Sequence, residues 1–285
     1  MKIVLQDDLN FLLTNGLPRR ALTRFTGWFS RIEQPMIRDI SLRVWRYFGD
    51  LDLSDASQTE FRSLHACFIR QLKDGARPVD MAPDVITSPC DAIAGAYGTV
   101  ENGQVLQVKG FSYALEDLLG DPVHAARFRD GSYVTLRLTS SMYHRFHAPF
   151  DCTVESVSHF PGDVWNVNPP TLKRVRRLFC RNERAVIRTR LSRDNLPMTL
   201  VAVAAILVAG IRLRFLDIPL RAAERVRRTY PCTAPLRKGQ EMGWFEHGST
   251  IILFAPPGVT FDDRVRPGAS IRAGQALMHL PAPGN

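Results

Sequence analysis

The chain has 285 residues, 45% of them hydrophobic and 23% charged, with a formal net charge of +9. That length and apolar content can bury one large core, alone or with an extension, and they exclude a disordered or low-complexity protein. Five cysteines, an odd number without a C-x-x-C pair, argue against a zinc or redox motif and suit a reducing compartment.

Met1 to Asp8 carry acids where a signal peptide needs an apolar stretch, so a protein kept in the cytoplasm is expected. From Pro18 to Arg31 the run PRRALTRFTGWFSR contains no acid and has helical periodicity. At about 100° per residue, Leu22, Phe25 and Phe29 fall on one side, with Arg20, Arg24 and Arg31 in a sector opposite. This is the composition of a helix lying in a membrane interface, its arginines toward anionic headgroups. A helix packed on its own domain with a solvated basic face gives the same pattern. Further helices are predicted at Met36–Phe48 and around Phe61–Leu72. Residues 1–75 are therefore read as a helical, membrane-associating region. Net charge alone is compatible with nucleic acid or an anionic membrane as partner.

After Arg77-Pro78 the texture changes to short β-rich runs separated by Gly, Pro, Asp and Asn, such as GQVLQVKG, GSYVTLRLTS, CTVESVSHF and STIILFAP. Residues 76–285 thus read as a mainly antiparallel barrel or sandwich core, and the whole chain as α+β. Helical inserts are predicted at Tyr113–Leu119 and around Leu172–Phe179. The most apolar run, Met198–Ile211, has 14 residues, short of the roughly 20 of a bilayer span. It reads as a buried strand pair or a core helix.

Three spots place reactive side chains among turn or strand-end signals: Ser88-Pro89-Cys90-Asp91, the segment from Tyr143 to Pro149 with His144 and His147, and Gly248-Ser249-Thr250. An acid, an imidazole and a hydroxyl are what an activated-nucleophile site requires. The same residues also read as a turn cap, core or surface histidines, and a bend. The elbow G-x-S-x-G of ordinary hydrolases is absent around Ser249. No metal is expected, because His144 and His147 lie i,i+3, on opposite faces of a regular strand, with no third ligand at a motif spacing.

Along nearly its whole length the chain resembles the phosphatidylserine decarboxylase proenzymes. The resemblance rests on GQEMGWFEHGSTIILFAP, MYHRFHAPFDCTVESVSHFPGDVWNVN, SPCDA, LQVKGFSYALEDLLG, LFCRNERAVI and the N-terminal LPRRALTRFTGWFSRI, in that family's order. It implies self-cleavage between Gly248 and Ser249 into a β chain of residues 1–248 and an α chain of residues 249–285, with Ser249 becoming a covalent pyruvoyl group. It further implies Asp91 and His147 as the triad partners of Ser249, and His144 as a second active-site histidine. The implied substrate is phosphatidylserine in an anionic membrane, converted to phosphatidylethanolamine in phospholipid biosynthesis by a peripheral bacterial enzyme on the cytoplasmic side. Neither metal nor nucleic acid enters that picture, and a homodimer is compatible with it.

The chain departs from the family pattern at three positions. His247 stands where Leu is common, Ala92 where Gly is usual, and Asn166 where Ser is more frequent. Ala92 raises the question of a turn that prefers positive φ. Two rivals follow: a basic binding module for nucleic acid or acidic lipid without catalysis, which has no use for Gly248-Ser249 with His147 and Asp91, and a family member whose departures, especially Ala92, have slowed or abolished maturation.

Overall fold

Helix α1 (Arg19–Phe29) and helix α2 (Pro35–Gly49) leave several large apolar side chains exposed, although Leu42 and Trp45 of α2 pack inward. The computed structural model describes residues 19–108, 110–206, 210–220, 226–246 and 249–282. Proline opens α2, where its missing N–H is no loss, and the Gln34 side chain accepts from Ile37 N at 2.7 Å. Thr23 of α1 and Ser30 just past its end are buried, while Phe25 and Trp28 are 55% and 64% exposed. No residue of α2 is buried, and Tyr47 and Phe48 stand 82% and 80% exposed beside Met36, Ile40 and Val44. Ordinary amphipathic helices bury the reverse set. The one-sided pattern expected from Pro18 to Arg31 is altered in two respects. Phe29 turns inward, and Arg31 bonds back to Glu246 at 3.1 Å instead of joining Arg24 outside. Pro18 and the side chain of Arg20 lie outside the described residues.

Helix α3 (Leu64–Phe68) is a single capped turn, with Ser63 Oγ accepting from Ala66 N at 3.1 Å. It is shorter than the predicted Phe61–Leu72 helix because Leu72 pairs with Ala56 in a β-bridge.

The remainder is built from β1 (Val85–Thr87), β2 (Ala92–Thr99), β3 (Gln104–Val108), β4 (Phe111–Ala114), helices α4 (Leu115–Leu119) and α5 (Pro122–Ala126), β5 (Ser132–Arg137), β6 (Arg145–His147) and β7 (Cys152–Phe160). Helices α6 (Pro169–Leu172) and α7 (Leu178–Arg181) follow, then β8 (Arg184–Leu191), β9 (Pro197–Ala204), β10 (Ile211–Leu213), β11 (Leu216–Leu220) and β12 (Arg228–Leu236). The chain closes with β13 (Glu241–Phe245), β14 (Ser249–Ala255), β15 (Thr260–Phe261), β16 (Ser270–Ile271) and β17 (Ala276–His279).

An eight-stranded sheet runs β12-β7-β8-β9-β14-β5-β2-β16, with all neighbours antiparallel. A four-stranded sheet runs β11-β10-β13-β6, and β1-β17-β15 and β3-β4 make two smaller ones. The expected antiparallel, sandwich-like α+β core is present, but the barrel reading is corrected: the large sheet ends at β12 and β16, which do not pair with each other. Pro231 and Pro235 in β12 suit an open edge, because proline cannot donate to a further strand. The apolar run from Met198 divides into β9 in the large sheet and β10 in the small one, so it forms strands, not a core helix. β14 is apolar from Ile251 to Ala255 because both of its faces are covered there. Ile251 and Leu253 pack into one cluster, and Ile252 and Phe254 into the other.

Candidate active site

Strand β13 belongs to the four-stranded sheet and β14 to the eight-stranded one, so residues 246–248 carry the chain from one sheet to the other. Both banks of this crossing are pinned. Upstream, Phe245 N donates to His144 O at 3.0 Å and Glu246 N to Gly210 O at 3.0 Å. Gly243 supports that bank, because a Cβ there would run into the Arg212 carbonyl of β10. Downstream, Ser249 faces Ala204 of β9, and Thr250 faces Val203 on one side and Arg137 of β5 on the other. His247 and Gly248 lie outside the described residues, as does the hydroxyl of Ser249.

The buried Glu246 carboxylate anchors the crossing electrostatically. It takes Arg31 Nη2 at 3.1 Å, Arg212 Nε at 3.5 Å and His65 Nε2 at 3.9 Å. The end of α1, α3 and β10 are thereby tied to the residue just before His247. The signal for this anchor was a lone acid in an aromatic run, WFEHGST.

His144 is fully buried at the near bank. Its Nδ1 donates to Met142 O at 2.8 Å, so Nε2 carries the lone pair of the neutral ring, and Phe68 packs on the imidazole with ring centroids 3.8 Å apart. His147 lies further back, opposite Glu241 on β13. Its Nδ1 donates to Gly239 O at 2.9 Å, and the Tyr143 hydroxyl stands 3.0 Å from Nε2. Burial lowers the His147 pKa below its ordinary value, against the opposing pull of the Gly239 carbonyl, Glu241 and Asp91.

Asp91 does not bond His147. Its carboxylate holds Arg77 at 2.9 Å (Nε to Oδ1) and 2.6 Å (Nη2 to Oδ2), and accepts from Ala273 N at 2.9 Å. Arg77 also reaches Asp55 at 2.8 Å, so Asp91 links the helical start to the C-terminal strands. Arg77 was invisible as a partner because its contacts join segments apart in the chain, whereas Tyr143 stands only four residues before His147 and its hydroxyl was overlooked within the segment already singled out. Ala92 raises no backbone difficulty: it opens β2, fully buried, and is not among the residues with positive φ.

The Arg-Asn-Glu-Arg and Pro-Gly-Asp segments serve this geometry from behind. Asn182 Nδ2 donates to Ala204 O at 2.8 Å and to Trp165 O at 2.9 Å, holding the strand partner of Ser249. A Cβ on Gly162 would meet Arg181 O and Glu183 N at 2.5 Å, so only glycine permits that approach.

A cavity of about 870 Å³ opens against this assembly. Ala205 and Ile206, which continue β9, form part of its wall with Arg137, Asn166 and Phe68. Its mouth includes the exposed Ile40, Val44 and Phe48 of α2. Among the described residues no three of His, Cys, Asp and Glu are grouped so as to hold a metal ion. Nor is any described helix long and apolar enough to cross a membrane.

Residues 64–279 match the family model described as phosphatidylserine decarboxylase. A Vibrio cholerae protein named phosphatidylserine decarboxylase proenzyme is 36% identical over 284 residues, covering 96% of this chain and 99% of its own. Proteins of the same name from an Anaeromyxobacter species and from Pseudomonas fluorescens are each 37% identical, over 92% and 93% of this chain and 94% and 95% of theirs.

Proposed function

The chain belongs to the phosphatidylserine decarboxylase family, and from that premise we propose that it converts phosphatidylserine to phosphatidylethanolamine with a pyruvoyl group made from its own Ser249. The observation that carries this reading is the apolar cavity, whose mouth lies among exposed side chains of α2 and whose inner wall adjoins the start of β14. A lipid can enter such a cavity from a bilayer without passing through water.

Maturation begins when Ser249 Oγ, losing its proton to His147, attacks the Gly248 carbonyl and forms an ester while the Ser249 nitrogen becomes a free amine. Loss of the Ser249 α-proton then expels the Gly248 carboxylate and leaves dehydroalanine, and addition of water with release of ammonia gives the pyruvoyl group. The residues present suit that group. Ladder pairing of β14 with β9 and β5 keeps the new N-terminus in place after the bond breaks, and no bulky side chain is needed at position 249. Its carbonyl supplies the electron sink that decarboxylation requires. His144, buried beside the cavity wall through Phe68, is assigned the proton that replaces carbon dioxide. Asp91 acts as a positioning residue, holding Arg77 and the Ala273 backbone.

In this reading residues 1–75 dock the protein to the cytoplasmic face of a membrane and residues 76–285 do the chemistry. The direct test is release of labelled carbon dioxide from carboxyl-labelled phosphatidylserine by the purified protein, abolished by prior treatment with hydroxylamine or borohydride. Release that persists after either reagent overturns the pyruvoyl assignment.

Docking is tested at rings outside the cavity. Each aromatic ring of Phe25, Trp28 and Tyr47 can bury on the order of 150 Å² or more, and at about 25 cal/mol per Å² that is several kcal/mol per ring. A triple Ser variant of these residues is expected to move from anionic liposomes to the supernatant, with at least a tenfold loss of partition, while self-cleavage in detergent continues. Sedimentation equal to the parent places these rings outside the membrane contact.

A further inference from the structure

Arg137 ends β5 directly opposite Thr250, the residue after Ser249, and lines the cavity wall. Its surroundings set it apart from the other arginines sunk into this fold. Arg145 holds Glu241 at 2.8 Å, Arg77 holds Asp91, and Arg184 donates to the carbonyls of Leu118, Asp117 and Cys180. The half-buried side chain of Arg137 makes no hydrogen bond or ion pair among the described residues. Burial lowers its pKa from the ordinary arginine value, with no neighbouring charge acting the other way. The group nonetheless stays cationic at any physiological pH. Beside it, the buried hydroxyl of Thr250 is likewise without a partner.

A desolvated guanidinium without an anion is costly, and so is a buried hydroxyl with nothing to bond. Arg137 lines a cavity whose walls and mouth are otherwise mainly apolar, and Thr250 lies beside it in the strand ladder. A ligand that satisfies the guanidinium is an amphiphile with an anionic head. Resting on the reading of the chain as a phosphatidylserine decarboxylase, we propose that Arg137 is the substrate-binding residue for the phosphodiester of the lipid headgroup.

The phosphodiester is the better partner than the serine carboxylate for an energetic reason. An ion pair to the carboxylate would stabilise the ground state and be lost as neutral carbon dioxide forms, which raises the barrier. The phosphodiester keeps its charge from substrate to product, so its pairing with Arg137 is constant along the reaction. It offers two oxygens to the planar fork, a geometry that Lys cannot reproduce. Constant binding of this kind appears in KM and leaves kcat largely untouched.

The experiment compares wild type with Arg137→Gln and Arg137→Lys, using dihexanoylphosphatidylserine below its micelle concentration so that membrane docking plays no part. For Arg137→Gln we expect kcat/KM per cleaved chain to fall about 10- to 100-fold, as for loss of charge-assisted hydrogen bonds, with the loss in KM, and only partial recovery in Arg137→Lys. Inhibition by dihexanoylphosphatidylethanolamine, which keeps the phosphodiester and lacks the carboxylate, should weaken by the same factor. Because Arg137 neighbours the cleavage strand, binding of both lipids is also measured by calorimetry on uncleaved Ser249→Ala protein with and without Arg137→Gln, together with inorganic phosphate. Unchanged KM and inhibition overturn the proposal, as does a loss confined to kcat, to the serine lipid alone, or shared equally by inorganic phosphate. If wild type fails to release carbon dioxide, the functional reading falls by itself, and the calorimetry still decides the role of Arg137.

Discussion

Purified protein held under native conditions is expected to separate into pieces of 248 and 37 residues (285 − 248 = 37). The smaller piece should be resistant to Edman sequencing because its first residue no longer carries an amine. Ser249→Ala should remain one chain and release no carbon dioxide above background, since the same oxygen is both the attacking group and the origin of the cofactor. Ser249→Cys is expected to cleave slowly: a thiol still attacks, but its ester analogue partitions differently. Mass spectrometry of the three proteins gives the answer. An intact wild-type chain after long incubation would sink the maturation scheme. The crossing at residues 246–248 makes the expected site physically reasonable, because hydrogen bonds fix the backbone on either side of it.

The second large effect separates the two histidines. His147→Ala and Asp91→Asn should accumulate full-length chain, whereas His144→Ala should be cleaved at least in part yet lose turnover on the order of 10²–10⁴-fold, as for removal of a general acid or base. Gel-resolved cleavage and carbon dioxide release are read on the same preparations. The geometry sharpens the comparison, since the backbone of His144 bonds Phe245 while His147 sits opposite Glu241 and already accepts from Tyr143. If His144→Ala accumulates precursor and His147→Ala matures, proximity wins and His144 is the base. Acid supplies an independent reading. A base works in its neutral form, and burial lowers the His147 pKa. Cleavage should therefore be flat at neutral pH and fall as pH drops through a midpoint below about 6.5. A midpoint above that value would assign the step to another group.

What the sequence by itself determined is whatever local pattern controls. The change from helical to strand texture after Arg77 and the strand character of STIILFA were legible from periodicity and turn residues, whereas the direction of the apolar face at Leu22, Phe25 and Phe29 was not. So were the family and its quoted motifs, because a motif is a local string. Tertiary structure decided everything that depends on residues distant along the chain. Strand neighbours can be sheet edges or barrel closures with the same alternation, so only the order β12 to β16 showed an open sheet. A run such as MTLVAVAAILVAGI can bury itself as helix or strands, and the partners β8 and β14 chose for it. Arg31 reads as one more headgroup-facing cation until Glu246 is folded against it, and Asp91 reads as a partner of His147 until Arg77 and Ala273 take its oxygens. Charged groups in a low-dielectric interior go to whichever partner the fold brings within hydrogen-bond reach. The guanidinium of Arg137 is the converse case: its chemistry lies in the partner that the fold withholds.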